Sequence, residues 1–159
     1  MIEGLPIQLQ SHRQLERASC AASGFECIAK LNGLIAPDTF PLQSDPANQG
    51  MGFGDTGFLH SLGLKTSDKH LGREAALDCI EAEIRAEKFP LVSLLVAQTD
   101  SGRYWHIYIC VQHDGKLLLI DPAIPRVQAQ NRDGLTAEFQ RTLDLAPDRQ
   151  LIHVMTYAK

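Results

Sequence analysis

Residues 91–120 carry the pattern that most restricts the fold. Leu91–Ala97 is an apolar run of strand length with Ser93 as its one polar residue, and Tyr104–Val111 is rich in aromatic and β-branched residues. Lys116–Ile120 follows the pair Asp114-Gly115, which takes the backbone conformations of a tight turn without strain, so 104–120 is predicted to be a β-hairpin. Leu151–Tyr157 reads as a final strand.

Helical spacing dominates the first half. A helix is predicted over 20–32, with Phe25, Ile28 and Ala29 on one face, Ala21 at its margin, Lys30 in its last turn and Gly33 just past its end. Either Ser19 caps this helix, which puts Cys20 in the first turn, or Ser23 and Glu26 form a capping box and leave Cys20 in the preceding loop. A short helix over 55–62 is stopped by Gly63. A third, over 73–88, sets Leu77, Ile80 and Ile84 on one face and Glu74, Asp78, Glu81 and Arg85 elsewhere, with Pro90 at its exit. A fourth is expected over 135–144. Helices first and an antiparallel sheet second make an α+β fold. Residues 33–54, rich in Pro, Gly, Asn, Asp and Gln, read as a long surface loop of the kind that serves as a functional wall or lid.

The 159 residues show no internal repeat or linker, so 1–159 is expected to be one domain, burying roughly 70% of its unfolded surface. A core of that size does not need disulfides, and there is no C-x-x-C pair; Cys27, Cys79 and Cys110 sit among apolar residues as expected buried thiols. A net charge of −4 leaves no basic face for phosphates, which argues against a nucleic-acid partner. The longest apolar run is far too short to cross a membrane. Residues 1–14 carry no basic stretch followed by a long apolar segment, so the expected location is the cytoplasm, or outside the cell by a route without a signal peptide. Histidines 12, 60, 70, 113 and 153 show no metal-ligand spacing, and no metal or cofactor is expected. The cluster Gly50-Met51-Gly52-Phe53-Gly54 lacks the Lys-Ser/Thr ending of a phosphate loop and reads as flexible loop.

Cys20 has different surroundings. At the head of a helix, the dipole and free N–H groups favour a thiolate. A thiol nucleophile also needs a base, a group to orient that base, and donors for the developing oxyanion. His106 lies mid-strand in Tyr-Trp-His-Ile-Tyr, an odd place for an imidazole that only packs. Asp121 ends the second hairpin arm, which returns beside the start of the first, close to His106. Gln14, six residues before Cys20, is the candidate oxyanion donor, with Gln8 and Gln10 as alternatives on the same approach. The bland uses of these residues are a core thiol, a satisfied core histidine and an Asp-Pro turn.

Gln14-x5-Cys20 ahead of a helix resembles the start of the double-glycine leader peptidase domain of bacteriocin-exporting ABC transporters, a branch of the papain-like cysteine peptidases. The resemblance runs on through Leu62-Gly63-Leu64, the passage Ile84–Ala97 with Phe89-Pro90-Leu91-Val92, Trp105-His106-Ile107-Tyr108-Ile109 and Leu119-Ile120-Asp121-Pro122, covering about residues 8–125. It implies a papain-like fold and the catalytic set Gln14, Cys20, His106 and Asp121. Two departures stand out. Ala21 follows the cysteine where glycine is usual, and the transporter's membrane and ATPase segments do not accompany the domain, so the resemblance does not carry the substrate with it.

The expected function is a cysteine peptidase acting on a peptide or protein substrate through a thioester. Deamidation or transglutaminase-type acyl transfer on a protein glutamine uses the same groups. A peptide-binding module that kept the fold without the activity is the non-enzymatic alternative. A bacterial secreted effector would suit such a small domain.

Overall fold

The computed structural model describes residues 4–123 and 126–159. The elements are α1 (Cys20–Leu31), α2 (Gly57–Ser61), β1 (Lys65–Leu71), α3 (Arg73–Arg85), β2 (Leu91–Thr99), β3 (Gly102–His113), β4 (Lys116–Asp121), β5 (Arg126–Ala129), α4 (Arg132–Leu145) and β6 (Ile152–Ala158). The strands form one antiparallel sheet in the order β1-β6-β2-β3-β4-β5. The fold is α+β, as the order of helical and strand patterns predicts.

The sheet is buried on both faces, and the period-two alternation of strands decides what each face meets. Leu91, Ile107, Ile109, Val111, Leu118, Ile120, Met155 and Tyr157 turn toward α1 and pack on Phe25 and Ile28. Val92, Leu94, Tyr108, Cys110, Leu119 and Val154 turn the other way and meet Leu77 and Ile80 of α3 and Phe139 of α4. Helix α1 lies unusually close to the sheet. A Cβ on Gly24 would stand 3.1 Å from Leu91 Cδ1 and 3.2 Å from Ile107 Cγ2. Glycine costs helix stability here, about 1 kcal/mol relative to alanine, in exchange for that approach. The hairpin turn takes its expected form, with Asp114 and Gly115 at φ 51° and 75°.

Several boundaries move. The third helix stops at Arg85, and Glu87 follows with φ 58°. Helix α4 begins at Arg132, where the Asn131 side chain accepts from the Gly134 N–H and caps it. Strands β1 and β5 have no counterpart in the sequence pattern. Ser19 holds the N-cap position of α1 and Cys20 its first turn, as the first alternative has it, though the Ser19 side chain makes no cap bond. Glu26 bonds elsewhere. Its Oε2 accepts from the N–H groups of Leu42 (2.9 Å) and Gln43 (3.3 Å), and Oε1 from Gln43 Nε2 (2.7 Å).

The same bonds decide the nature of the loop over 33–54. Gln43 also accepts from the Leu15 N–H at 2.7 Å and donates to Arg13 O at 3.0 Å, while Gly50 N–H donates to Ala18 O at 2.8 Å. Phe53 is buried against His153, its ring centroid 4.6 Å away and edge-on. The segment is tied down along its length, contrary to the expectation of a loose glycine-rich stretch. Among the described residues, no helix is long and apolar enough to cross a membrane.

Candidate active site

Cys20 is the first residue of α1, half-buried at the margin of the core. Burial raises its thiol above the ordinary value, and the backbone N–H groups of Ala21, Cys20 itself and Ile107 act in the opposite sense. Desolvation therefore outweighs the helix N-terminus, the reverse of the balance the sequence suggests.

The Ile107 N–H is available for a structural reason. Cys110 N–H points toward the β2 side, where it donates to Pro90 O at 2.9 Å. Donors alternate along a strand, so the Ile107 N–H points toward β4. The β3–β4 register ends at the pair Ile109–Ile120, leaving that donor without a ladder partner, and it acts on the Cys20 thiol by favouring the thiolate.

His106 is the next residue on β3. Its Nε2 lies 2.7 Å from Asp121 Oδ1, and Asp121 Oδ1 also accepts from the Ala123 N–H at 2.9 Å. Burial alone would raise the Asp121 carboxyl, but His106, the Ala123 N–H and Arg126 together hold it below the usual carboxylate range. An ionised Asp121 accepts only, so Nε2 carries the proton and Nδ1 is left as the ring's free acceptor. His106 shares its pleat with Tyr108, whose ring it meets edge-on at 5.0 Å, while Ile107 packs on Gly24 on the α1 side.

Gln14 joins the same corner through its backbone, donating its N–H to Ala123 O at 3.0 Å. Its side chain is not poised as an oxyanion donor. Nε2 donates to Glu16 O at 2.7 Å and Arg17 O at 2.9 Å, which uses both amide hydrogens, and Oε1 is buried without a partner. Gln10 donates to Leu5 O at 3.1 Å, and Gln8 lies in a short turn over Ile7–Leu9. Ala21, the residue after Cys20, is fully buried. A concavity lined by Leu31, Asn32, Ile84, Phe89 and Gln112 opens at the other end of β3.

No protein-family model matches the chain, and no curated protein matches it in sequence. Among solved structures it is similar to the crystal structure of the Pseudomonas avirulence protein AvrPphB, at 11% identity and a TM-score of 0.37, over 85% of this chain and 70% of that one. An overlap that loose decides neither fold family nor activity.

Behind the site lies a group that sequence patterns do not flag. His12, Ser23 and Lys30 are all buried and bonded to one another. The only hint is that Ser23 follows Cys20 by three residues, on the same helix face. Among the described residues, no cluster of His, Cys, Asp or Glu could hold a metal ion.

Proposed function

We propose that the chain is a papain-like cysteine hydrolase, a peptidase that cleaves a peptide or protein amide bond through a thioester on Cys20. One observation carries this: His106 Nε2 is bonded to Asp121 Oδ1 at 2.7 Å, the base-and-carboxylate pair that a half-buried thiol at the head of α1 needs. The nucleophile is then Cys20, the base His106 and the orienting carboxylate Asp121, in the order the sequence resemblance implies.

In this mechanism His106 Nδ1 accepts the Cys20 proton, and the sulfur attacks the amide carbonyl carbon. The tetrahedral oxyanion is met by the Cys20 N–H at the helix head, with Gln14 as the second donor once its amide releases the carbonyls of Glu16 and Arg17. Collapse breaks the C–N bond, and the leaving amine takes the proton from His106. A water molecule, deprotonated by His106, then cleaves the thioester and restores the thiol. Asp121 keeps the imidazole in the productive tautomer throughout.

Because burial outweighs the N–H groups that act on the Cys20 thiol, alkylation well below pH 8 calls for a further partner, and His106 is the candidate. The test is labelling with an iodoacetamide probe at pH 6, read by peptide mass spectrometry. Cys20 is expected to label, and His106→Ala to abolish that labelling. A peptide-library digest then separates the chemistries: cut chains mean proteolysis, and a one-dalton gain on glutamine means deamidation. If all the cysteines label alike and only after unfolding, the chain is a binding module and the hydrolase is refuted.

A further inference from the structure

His12, Ser23 and Lys30 are only 2%, 0% and 1% exposed, an expensive burial for three polar side chains. Lys30 Nζ lies 2.9 Å from His12 Nδ1, His12 Nε2 lies 2.8 Å from Ser23 Oγ, and Ser23 Oγ lies 3.3 Å from Pro122 O. Donor counting fixes the direction of each bond. Lysine only donates when charged, so Nδ1 accepts. A neutral imidazole then carries its proton on Nε2 and donates to Ser23, whose hydroxyl donates to the Pro122 carbonyl. Burial and the neighbouring Lys30 charge push the His12 imidazole down to about 3, which keeps it neutral. Phe40 closes the far end with its ring centroid 4.0 Å from Nζ; burial lowers the Lys30 amine, and the Glu26 charge acts in the opposite sense.

The chain of bonds ends on the peptide that follows Asp121. Ser23 lies about one helical turn beyond Cys20, so one hydroxyl links the helix of the nucleophile to the corner that presents the carboxylate. That corner is held from two further sides, by the Gln14 N–H on Ala123 O and by the Ala123 N–H on Asp121 Oδ1. Its remaining outward carbonyl, on Pro122, is the one Ser23 takes.

We propose that Ser23, aligned by His12 and Lys30, is a positioning residue that fixes the corner over 121–123 so that Asp121 meets His106 Nε2. It touches neither substrate nor reacting atoms. The inference rests on the catalytic set proposed above.

The test uses the full chain in six forms: wild type, Ser23→Ala, His12→Leu, His12→Gln, Asp121→Asn, and Ser23→Ala placed in the Asp121→Asn background. Two readouts are taken. One is the NMR signature of the His106 Nε2 proton bonded to Asp121, which needs no activity. The other is the pH profile of Cys20 alkylation between pH 5 and 9. Ser23→Ala and His12→Leu are expected to weaken the His106 signature and slow alkylation at pH 6 by about tenfold, equivalent to about one pKa unit. His12→Gln, whose amide accepts from Lys30 and donates to Ser23, is expected to restore both. In the Asp121→Asn background, Ser23→Ala is expected to add nothing. The inference is overturned if Ser23→Ala leaves both readouts at wild type and lowers only the urea midpoint. Should Ser23→Ala not fold, the His12→Leu and His12→Gln pair decides by the same measures. If wild-type Cys20 shows no His106-dependent labelling, the proposed function fails on that result, while the NMR signature still decides the role of Ser23.

Discussion

At the level of single residues, the charge on Asp121 and the tautomer of His106 determine each other. Asp121→Asn keeps the shape and reverses the logic: its amide donates toward Nε2, so the proton moves to Nδ1 and the base is turned off. Turnover is expected to fall by about 10³–10⁴-fold with little change in KM, measured on any peptide the wild type cleaves. Cys20→Ala is expected to abolish turnover altogether, and retained activity would remove the assignment. Gln14 differs, because its side-chain donors are already engaged by Glu16 and Arg17. Gln14→Ala is expected to cost about tenfold in kcat, short of the hundredfold or more that loss of a preorganised donor brings. Unchanged kcat would show that the amide never leaves those carbonyls to serve the oxyanion.

At the level of elements, the site depends on how closely α1 approaches the sheet. Gly24→Val places methyl groups where Leu91 and Ile107 already stand. It is expected to lower stability by about 1–3 kcal/mol in urea unfolding, the usual range for an overfilled core, and to slow Cys20 alkylation by moving α1 away from the Ile107 N–H. A stable variant with unchanged alkylation would show that the spacing of α1 and β3 is not critical. The elements also show what a sequence can reveal. The central strands β2, β3 and β4 were legible because burial on both faces demands continuous apolar runs, and the Asp-Gly turn fixed their pairing. Strand β1, Lys-Thr-Ser-Asp-Lys-His-Leu, was not: it is a charged edge strand that exists because β6 supplies its partner. Strand β5, at the opposite edge, was hidden for the same reason. The His106–Asp121 contact followed from hairpin register, a local property. The bond from Ser23 to Pro122 spans 99 positions and leaves no periodic trace.

At the scale of the whole molecule, acid stability is set by groups that the core holds in one protonation state. His12 stays neutral in the fold with its value pushed to about 3, whereas an exposed histidine titrates near 6.5. Between those values the unfolded chain binds a proton that the fold refuses. Stability therefore falls as pH drops from about 6.5 toward 3, by up to about 1.4 kcal/mol per pH unit. Asp121 acts in the same sense at lower pH: its carboxyl is depressed, so its contribution is present above the ordinary carboxylate range and is lost as pH falls through its folded value. Glu26 is raised by burial, so its contribution is complete in acid and is lost as pH rises through its raised value. The clearest window for His12 is pH 6.5 to 5, where His12→Gln is expected to flatten the decline in urea midpoint. An unchanged slope would assign the acid sensitivity to other groups. The free thiols give a second whole-molecule measure. Cys27 and Cys110 are both 0% exposed, with burial raising each thiol, while Cys79 is half-buried. Native alkylation at pH 8 is expected to modify Cys20 first and Cys79 second, and the other two only in denaturant. Early reaction at Cys27 would mean that α1 detaches from the sheet.

The segment between α1 and α2 is the longest irregular stretch of the chain, and by length alone it would be the natural place for a nick or an inserted tag. Its anchoring on Glu26, Arg13, Leu15 and Ala18 gives it a different character. It is laced to α1 like a cast around a limb, so cutting or lengthening it would loosen the geometry at Cys20 itself, and the tolerant sites for grafting lie instead at the hairpin tips.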